Sequence, residues 1–247
     1  MKHRGSHPSL SPGGTRSQLV GDLAALADPA RASVAAKYFK TGAGEYGEGD
    51  KFLGIPVPLQ RKVALAYCDL SLRDIALLLA SPTHEHRSAA LEILVCQYER
   101  AADADREKIV EFYLQHTRGI NNWDLVDASA PYILGEHLKT RSRRLLGTLA
   151  KSKLVWERRI AIVSTLTLIR NGETADTFRI AEMLLGDSHD LIQKAVGWAL
   201  RETGKVSRPA LVAFLAKHYA SISRVALRYA IEHFPLQERK RILAGKF

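Results

Sequence analysis

The sequence predicts an all-α fold, built as an α-solenoid or superhelix of stacked helical hairpins. From Ser17 onward, apolar residues recur at spacings of three and four, with almost no strict alternation of the kind that strands show. The periodic stretches are short, and links of about two to five residues join them, which makes consecutive helices antiparallel neighbours. A recurring pattern with a period in the mid-thirties then predicts that the hairpins stack.

The helical stretches follow one another with clear punctuation. Typical apolar-periodic stretches cover residues 72–79, 89–98, 109–114, 160–169, 180–185, 191–200 and 211–215. Helix-ending or helix-starting residues separate them at Asp28-Pro29, Ser81-Pro82-Thr83, Asn171-Gly172, Gly186-Asp187-Ser188, Thr203-Gly204 and Phe234-Pro235. Each of these short sequences is typical of a break between two helices.

The repeat is visible where a basic residue precedes small and apolar positions. This pattern begins at Arg87, Arg159, Lys194 and Arg224, and Trp123 fills the position halfway between the first two. Helix–turn–helix units with such a period are typical of HEAT or armadillo repeats, in which the second helix of each pair lines the concave side. An irregular helical bundle is the alternative architecture.

Composition limits the classes of protein. The chain has 247 residues, 46% hydrophobic and 25% charged, which is typical of a globular protein rather than a disordered one. Residues 1–16 are rich in Ser, Gly, Pro and basic residues, and we expect a disordered basic tail before a single domain over residues 17–247. No apolar run approaches the ~20 residues that a membrane span needs, and the N-terminus lacks the apolar core of a secretory signal.

The two cysteines, Cys68 and Cys96, lie 28 positions apart and form no Cys-x-x-Cys pair. We therefore expect neither a structural zinc site nor a disulfide, which fits a reducing compartment. A chain of this size does not need such a cross-link to bury a core. We expect a soluble protein in the cytoplasm.

Positive charge predicts the kind of partner. Lys and Arg number 36 against 26 Asp and Glu, so the formal net charge is +10, and the surplus is concentrated in residues 139–159 and near the C-terminus. A basic patch of this kind attracts polyanions, of which nucleic acid is the commonest in the cytoplasm. A solvated basic surface without a partner is the alternative.

The repeat gathers candidate site residues onto one stripe. Equivalent positions of stacked repeats point the same way, and helical neighbours three or four residues on extend the stripe. It contains two tryptophans, one carboxylate and a ladder of cations: Trp123, Trp198, Asp127, Arg87, Arg159, Lys194, Arg201, Arg224 and Arg228. The spacing therefore predicts a basic groove with aromatic platforms and one acid.

Each of these residues also has a structural explanation. Tryptophans on helices are mostly core residues, and Trp156, three residues before Arg159, is predicted to be one. Asp127 and Arg159 are equally compatible with an Asp–Arg ladder that joins successive repeats. The nine histidines include one close pair, His84-x-His86, without a third ligand, so no metal site is expected.

Several motifs resemble those of the AlkD-type DNA alkylation-repair glycosylases, a family built from HEAT-like repeats. The similarity covers nearly the whole chain after the tail. Its pieces, in order, are Tyr38-Phe39-Lys40, the sequence from Phe52 to Arg61, Trp123-Asp124-Leu125-Val126-Asp127, Trp156-Glu157-Arg158-Arg159 and the sequence from Ile192 to Glu202.

The resemblance implies a monofunctional glycosylase that excises N3- and N7-alkylated purines from double-stranded DNA, without a cofactor. It implies that Asp127 is the catalytic carboxylate, flanked by Trp123 and Trp198, with Arg159 on the DNA backbone. Arg87, Lys194, Arg201, Arg224 and Arg228 are candidate DNA contacts. We expect a monomer acting at the nucleoid. The alternatives are a non-catalytic repeat protein that binds damaged or branched DNA, and a protein-binding scaffold.

Overall fold

The computed structural model describes residues 14–247, and within that range it contains fourteen α-helices and no β-strand. The predicted all-α class is therefore confirmed. Residues 1–13 of the predicted tail lie outside the described residues. The last two tail residues belong to the first helix, because the side chain of Thr15 caps it and Arg16 begins it.

The described chain divides into two compact units, residues 14–120 and 121–247. The single domain predicted for residues 17–247 stays a prediction. The first unit contains six α-helices: α1 Arg16–Ala24, α2 Pro29–Tyr38, α3 Val57–Leu65, α4 Leu72–Leu79, α5 His84–Arg100 and α6 Asp103–Gln115. The second contains eight: α7 Trp123–Ser129, α8 Arg144–Ala150, α9 Val155–Arg170, α10 Ala175–Leu184, α11 Asp190–Val206, α12 Arg208–Lys217, α13 Arg224–Ala230 and α14 Leu236–Leu243.

Local sequence explains where many of the helices begin. The side chains of Asp28, Ser71, Ser207 and Ser223 each accept a hydrogen bond from a backbone N–H in the first turn of the helix that follows. Most of the predicted breaks therefore coincide with real helix ends. The break at Thr203-Gly204 is wrong, because α11 continues through both residues to Val206.

The second unit is built around α9. Every residue of this helix from Arg159 to Ile169 is buried, since α7, α8, α10 and α11 all pack against it. By contrast, α10 buries one face only, through Thr177, Ile180, Ala181 and Leu184, the spacing of an amphipathic helix. A π-helical turn, Pro131–Gly135, follows α7 and also packs on α9.

Side-chain contacts join α7, α9, α11 and α13 in one consistent order. Arg159 of α9 reaches back 32 positions to Asp127 of α7 and forward 32 positions to Leu191 of α11. Ser223, the N-cap of α13, bonds Gln193 of α11, 30 positions earlier. Further along, Ser164 and Thr167 of α9 donate to the carbonyls of Ala130 and Pro131, and Arg201 of α11 pairs with Glu232. Later residues of one helix thus contact later residues of the next, so α7 runs parallel to α9 and α11 runs parallel to α13, as successive second helices of a helical repeat do.

The prediction that the two cysteines form no disulfide is wrong. Cys68 and Cys96 form a disulfide with a Cα–Cα distance of 6.1 Å, and no free cysteine remains in the described chain. Their separation of 28 positions equals that between Gln60 and Ser88, which join α3 to α5. The two thiols are thus at equivalent places in neighbouring parallel segments, which is why they meet despite the absence of a Cys-x-x-Cys motif.

Candidate functional site

The centre of the candidate site is an ion pair between Asp127 of α7 and Arg159 of α9. Arg159 Nε donates to Asp127 Oδ1 at 2.9 Å, and Nη2 donates to Oδ2 at 2.8 Å. This two-pronged geometry holds a carboxylate in one orientation and is stronger than a single charged hydrogen bond. The Asp127 side chain keeps 20% of its surface exposed. It is therefore fixed in orientation and still accessible from solvent.

Arg159 itself faces the interior. Its side chain is only 6% exposed, and Nη1 donates a further hydrogen bond, at 2.6 Å, to the Leu191 carbonyl in the first turn of α11. The resemblance implied that Arg159 lies on the DNA backbone, and that role stays a prediction. In the structure its guanidinium makes three hydrogen bonds within the protein and ties together the three helices that carry the site residues.

The electrostatics of Asp127 reflect two opposing influences. Burial raises the pKa of the Asp127 carboxyl above its ordinary value, and the charge and hydrogen bonds of Arg159 pull that pKa down. The nearby charge of Asp124 adds a smaller upward effect, and the resulting direction is upward. The ionised state of Asp127 thus depends on Arg159.

Trp123 occupies the first position of α7, one helical turn before Asp127. The preceding residue, Asn122, is fully buried, and its Oδ1 accepts a hydrogen bond from the Trp123 backbone N–H at 2.8 Å. This cap fixes where the helix begins. Residues four apart share a face of a helix, so Trp123, which is half-buried, lies on the same face of α7 as Asp127.

Trp198 lies on α11, two turns after Leu191, which is about 10 Å along the helix axis. It is half-buried and makes no ring contact with any residue in the described range. A half-buried indole without an aromatic partner among residues 14–247 keeps part of its surface available to a ligand. Trp156, by contrast, is 5% exposed, which confirms its prediction as a core residue.

Arg87, the predicted DNA contact in the first unit, has partners within the protein. It is 2% exposed, and its guanidinium pairs with the equally buried Asp50 at 2.7 Å while donating to the Ser81 carbonyl at 2.7 Å. These bonds anchor the start of α5 to the loop before α3. Arg87 therefore stabilises the first unit, and its contact with DNA stays a prediction.

The other four predicted contacts lie on the surface of the second unit. Lys194 pairs with Asp190 at 2.6 Å, and Arg201 pairs with Glu202 at 3.2 Å and with Glu232, two residues after the end of α13. Arg224 is exposed and donates to the Leu243 carbonyl at 2.8 Å. Arg228 is exposed and has no ion-pair partner in the described part of the chain.

Sequence reasoning missed the residues that join the loops before α9 and α11. Arg158 donates to Asp187 at 2.5 Å and to the carbonyls of Ser152 and Lys153 at 3.0 and 3.1 Å. His189 caps α11 by accepting from the Leu191 N–H, and burial lowers its pKa, so it stays neutral as this bond requires. The Arg158-Arg159 dipeptide could have indicated these contacts, because Arg158 pairs with Asp187 of the following repeat and Arg159 pairs with Asp127 of the preceding one.

No group of three potential metal ligands occurs among residues 14–247. His84 is buried, stacks on Phe52 with ring centroids 4.6 Å apart and lies 3.4 Å from Asp50. His86 bonds the Ser81 hydroxyl at 2.9 Å. Both members of this histidine pair therefore have structural contacts. No helix in the same range has the length and apolarity needed to cross a membrane.

A family model and a solved structure that resemble the chain are both described as DNA alkylation repair enzymes. The model of a family described as DNA alkylation repair enzyme matches residues 19–234. Among solved structures, a predicted DNA alkylation repair enzyme from Enterococcus faecalis resembles the chain with a TM-score of 0.65 and 18% sequence identity, over 85% of this chain and 97% of that chain. At this identity the likeness is one of fold. No curated protein matches the chain.

Proposed function

Because the chain belongs to the DNA alkylation repair enzyme family, we propose that it is a monofunctional DNA glycosylase for cationic, N3- or N7-alkylated purines in double-stranded DNA. The observation that carries the proposal is the Asp127 carboxylate, held by two hydrogen bonds from Arg159 and still open to solvent. The half-buried Trp123 lies on the same helix, and the half-buried Trp198 lies on the helix that Arg159 bonds.

The chemistry explains why one carboxylate is sufficient. An N3- or N7-alkylated purine already carries a positive charge, so the electrons of the breaking C1′–N9 bond neutralise the base, and no general acid is required. Positive charge then develops on the deoxyribose, as in the oxocarbenium-like transition state of glycoside hydrolysis. An ionised Asp127 stabilises that charge and orients the water that adds to C1′, while the proton of that water passes to Asp127 or to solvent.

The tryptophans supply selectivity for the charged base. The face of an indole attracts a cation, with a contribution of about 0.5–2 kcal/mol depending on how far the pair is desolvated. A neutral purine gains neither this attraction nor an easy departure from the sugar. Trp123 and Trp198 therefore favour the alkylated nucleoside over the large excess of normal ones.

Arg159 is a positioning residue in this proposal. It holds both carboxylate oxygens of Asp127 and opposes the effect of burial on the Asp127 pKa, so it favours the ionised form. Lys194, Arg201, Arg224 and Arg228 remain candidate contacts to the DNA backbone. All of these groups belong to one chain and one unit, so a monomer is sufficient to act on chromosomal DNA.

A non-catalytic protein that binds damaged or branched DNA is the second candidate, favoured by the tight Asp127–Arg159 pair, which also suits a purely structural ladder. Release of free base separates the two candidates. Duplex DNA containing 7-methylguanine, incubated with excess protein, is expected to lose its modified base faster than in a protein-free control, while unmodified guanine stays in place. Salt-sensitive binding without base release would refute the glycosylase and favour the second candidate.

A further inference from the structure

The contact between α11 and α13 is unusually close at Gly197, the residue immediately before Trp198. A Cβ atom on Gly197 would lie 2.5 Å from Tyr229 Cβ and 2.6 Å from the Ala226 carbonyl oxygen. Real Cβ atoms do not approach other atoms so closely, so only glycine allows α13 to pack at this distance. The absence of a side chain at position 197 therefore brings Tyr229 next to the helix that carries Trp198.

Tyr229 lies at the exposed edge of this contact. It is 38% exposed, and it has no hydrogen-bond or ring partner in the described part of the chain. Three residues further on, Glu232 pairs with Arg201, which lies one turn after Gly197 on α11. The contact of Tyr229 with Gly197 is thus followed, one turn later on both segments, by the pair of Glu232 with Arg201, and the exposed Arg228 directly precedes Tyr229 in α13.

The order of the packed helices shows how far Tyr229 lies from Asp127. Arg159 of α9 contacts α11 from one flank, and Tyr229 of α13 contacts α11 from the other. Packed helices lie about 8–10 Å apart, whereas successive nucleotides of one DNA strand rise about 3.4 Å. A duplex with its lesion at Asp127 therefore meets α13 several nucleotides away from that lesion.

We propose that Tyr229 is a DNA-binding residue whose ring packs against a deoxyribose and whose hydroxyl donates a hydrogen bond to a phosphate oxygen, outside the lesion nucleotide. The proposal rests on the proposed function for the identity of the ligand. A phenol hydroxyl without a protein partner is a common donor to DNA phosphates, and such contacts hold the duplex in register without reading its sequence. Tyr229 acts on affinity and not on bond cleavage.

The test is DNA affinity, measured by fluorescence polarisation with an unmodified duplex at fixed salt. We expect Tyr229→Ala to raise the Kd about three- to tenfold, the effect of losing one hydrogen bond and its packing, and Tyr229→Phe to give a smaller increase. Alanine keeps the Cβ that touches Gly197, so the thermal midpoint is expected to stay near the wild-type value. Tyr229→Phe, which keeps the ring, provides a second variant should the alanine variant be unstable.

Tyr132 is the matched control. It is 39% exposed, in the same unit, and stacks with Arg170, which lies 11 residues after Arg159, about 16 Å along α9. Tyr132→Ala is expected to bind DNA as the wild type does. Equal Kd values for Tyr229→Ala and the wild type, or an equal loss of affinity in Tyr132→Ala, would overturn the proposal.

A second readout distinguishes this proposal from the proposed function. With saturating protein, the single-turnover rate of 7-methylguanine release by Tyr229→Ala is expected to match the wild type, and a rate lowered as much as the affinity would also overturn the proposal. Should the wild type release no base, the glycosylase would be refuted, and the affinity measurement alone would still decide the role of Tyr229.

Discussion

Asp127 and Arg159 depend on each other at the scale of single residues. Burial favours the protonated carboxyl, and the guanidinium opposes this by favouring the charged form that the proposed reaction needs. Removing Arg159 would leave a partly buried acid without its counter-charge, a change that costs more than the pair itself contributes. The function of Arg159 is therefore visible in the pH dependence of Asp127.

The first prediction concerns this pH dependence. Base release requires ionised Asp127, so the rate falls as the pH falls through the Asp127 pKa, and a raised pKa moves this acid limb above the range of an ordinary aspartate. Arg159→Gln removes both influences that lower the pKa. We expect its acid limb to move to higher pH, and that of Arg159→Lys, which keeps the charge, to move less. The measurement is the rate of base release against pH for the wild type and both variants, corrected for spontaneous base loss. Acid limbs at the same pH in Arg159→Gln and the wild type would contradict the prediction.

Single residues also show where sequence reasoning reaches its limit. The stripe correctly joined Asp127 to Arg159, because equivalent repeat positions face the same way. It could not show that Arg87 and Arg159 are buried, because their partners, Asp50 and the Leu191 carbonyl, come from segments whose approach depends on tertiary packing. A cationic side chain at a repeat position either contacts a ligand or joins two segments of the protein, and only the identity of its partner distinguishes these roles.

At the scale of elements, parallel helices bring residues one repeat apart into contact. Cys68, just after α3, and Cys96, on α5, illustrate this in the first unit, where Gln97 also donates to the carbonyls of Cys68 and Leu70 at 2.8 and 2.7 Å. Helix ends were largely predictable, since capping residues act locally. Thr203-Gly204 was not, because Thr203 bonds the Leu200 carbonyl and Gly204 packs on Leu211, so both are accommodated within α11.

The second prediction is that the disulfide stabilises the first unit. Closing a loop of this length restricts the unfolded chain, which corresponds to about 3–4 kcal/mol in the free energy of unfolding. Melting the protein with and without a thiol reductant is expected to show a lower midpoint after reduction. A variant carrying both Cys68→Ala and Cys96→Ala provides the control, because its midpoint should not respond to reductant. An unchanged wild-type midpoint after complete reduction would exclude this contribution.

At the scale of the whole molecule, the net charge of +10 is the property that favours a polyanionic partner. Many of the 36 Lys and Arg residues pair with acidic side chains, as Arg143 does with Glu173 and Asp176. Arg228 differs, because it is exposed and has no ion-pair partner among residues 14–247. The surface cations that remain unpaired, rather than the total, determine how DNA binding responds to salt.

The third prediction concerns how the salt dependence of DNA binding differs between variants of the unpaired Arg228 and the paired Arg201. Each phosphate contact adds about 0.9 to the slope of log K against log salt concentration. Arg228→Gln is expected to reduce the magnitude of the slope by about this amount, whereas Arg201→Gln, whose guanidinium is held by Glu202 and Glu232, is expected to change it less. Titrations at four or more salt concentrations check this. Identical slopes for Arg228→Gln and the wild type would remove Arg228 from the DNA interface.

The role of Asp127 is tested most directly by comparing the wild type with Asp127→Asn on a duplex containing 7-methylguanine. Asparagine has nearly the same shape but no charge, so the rate of base release under single-turnover conditions is expected to fall well over tenfold, while the Kd for the duplex changes less than twofold. Equal rates in both proteins would contradict the assignment of Asp127 as the group that stabilises the positive charge on the sugar.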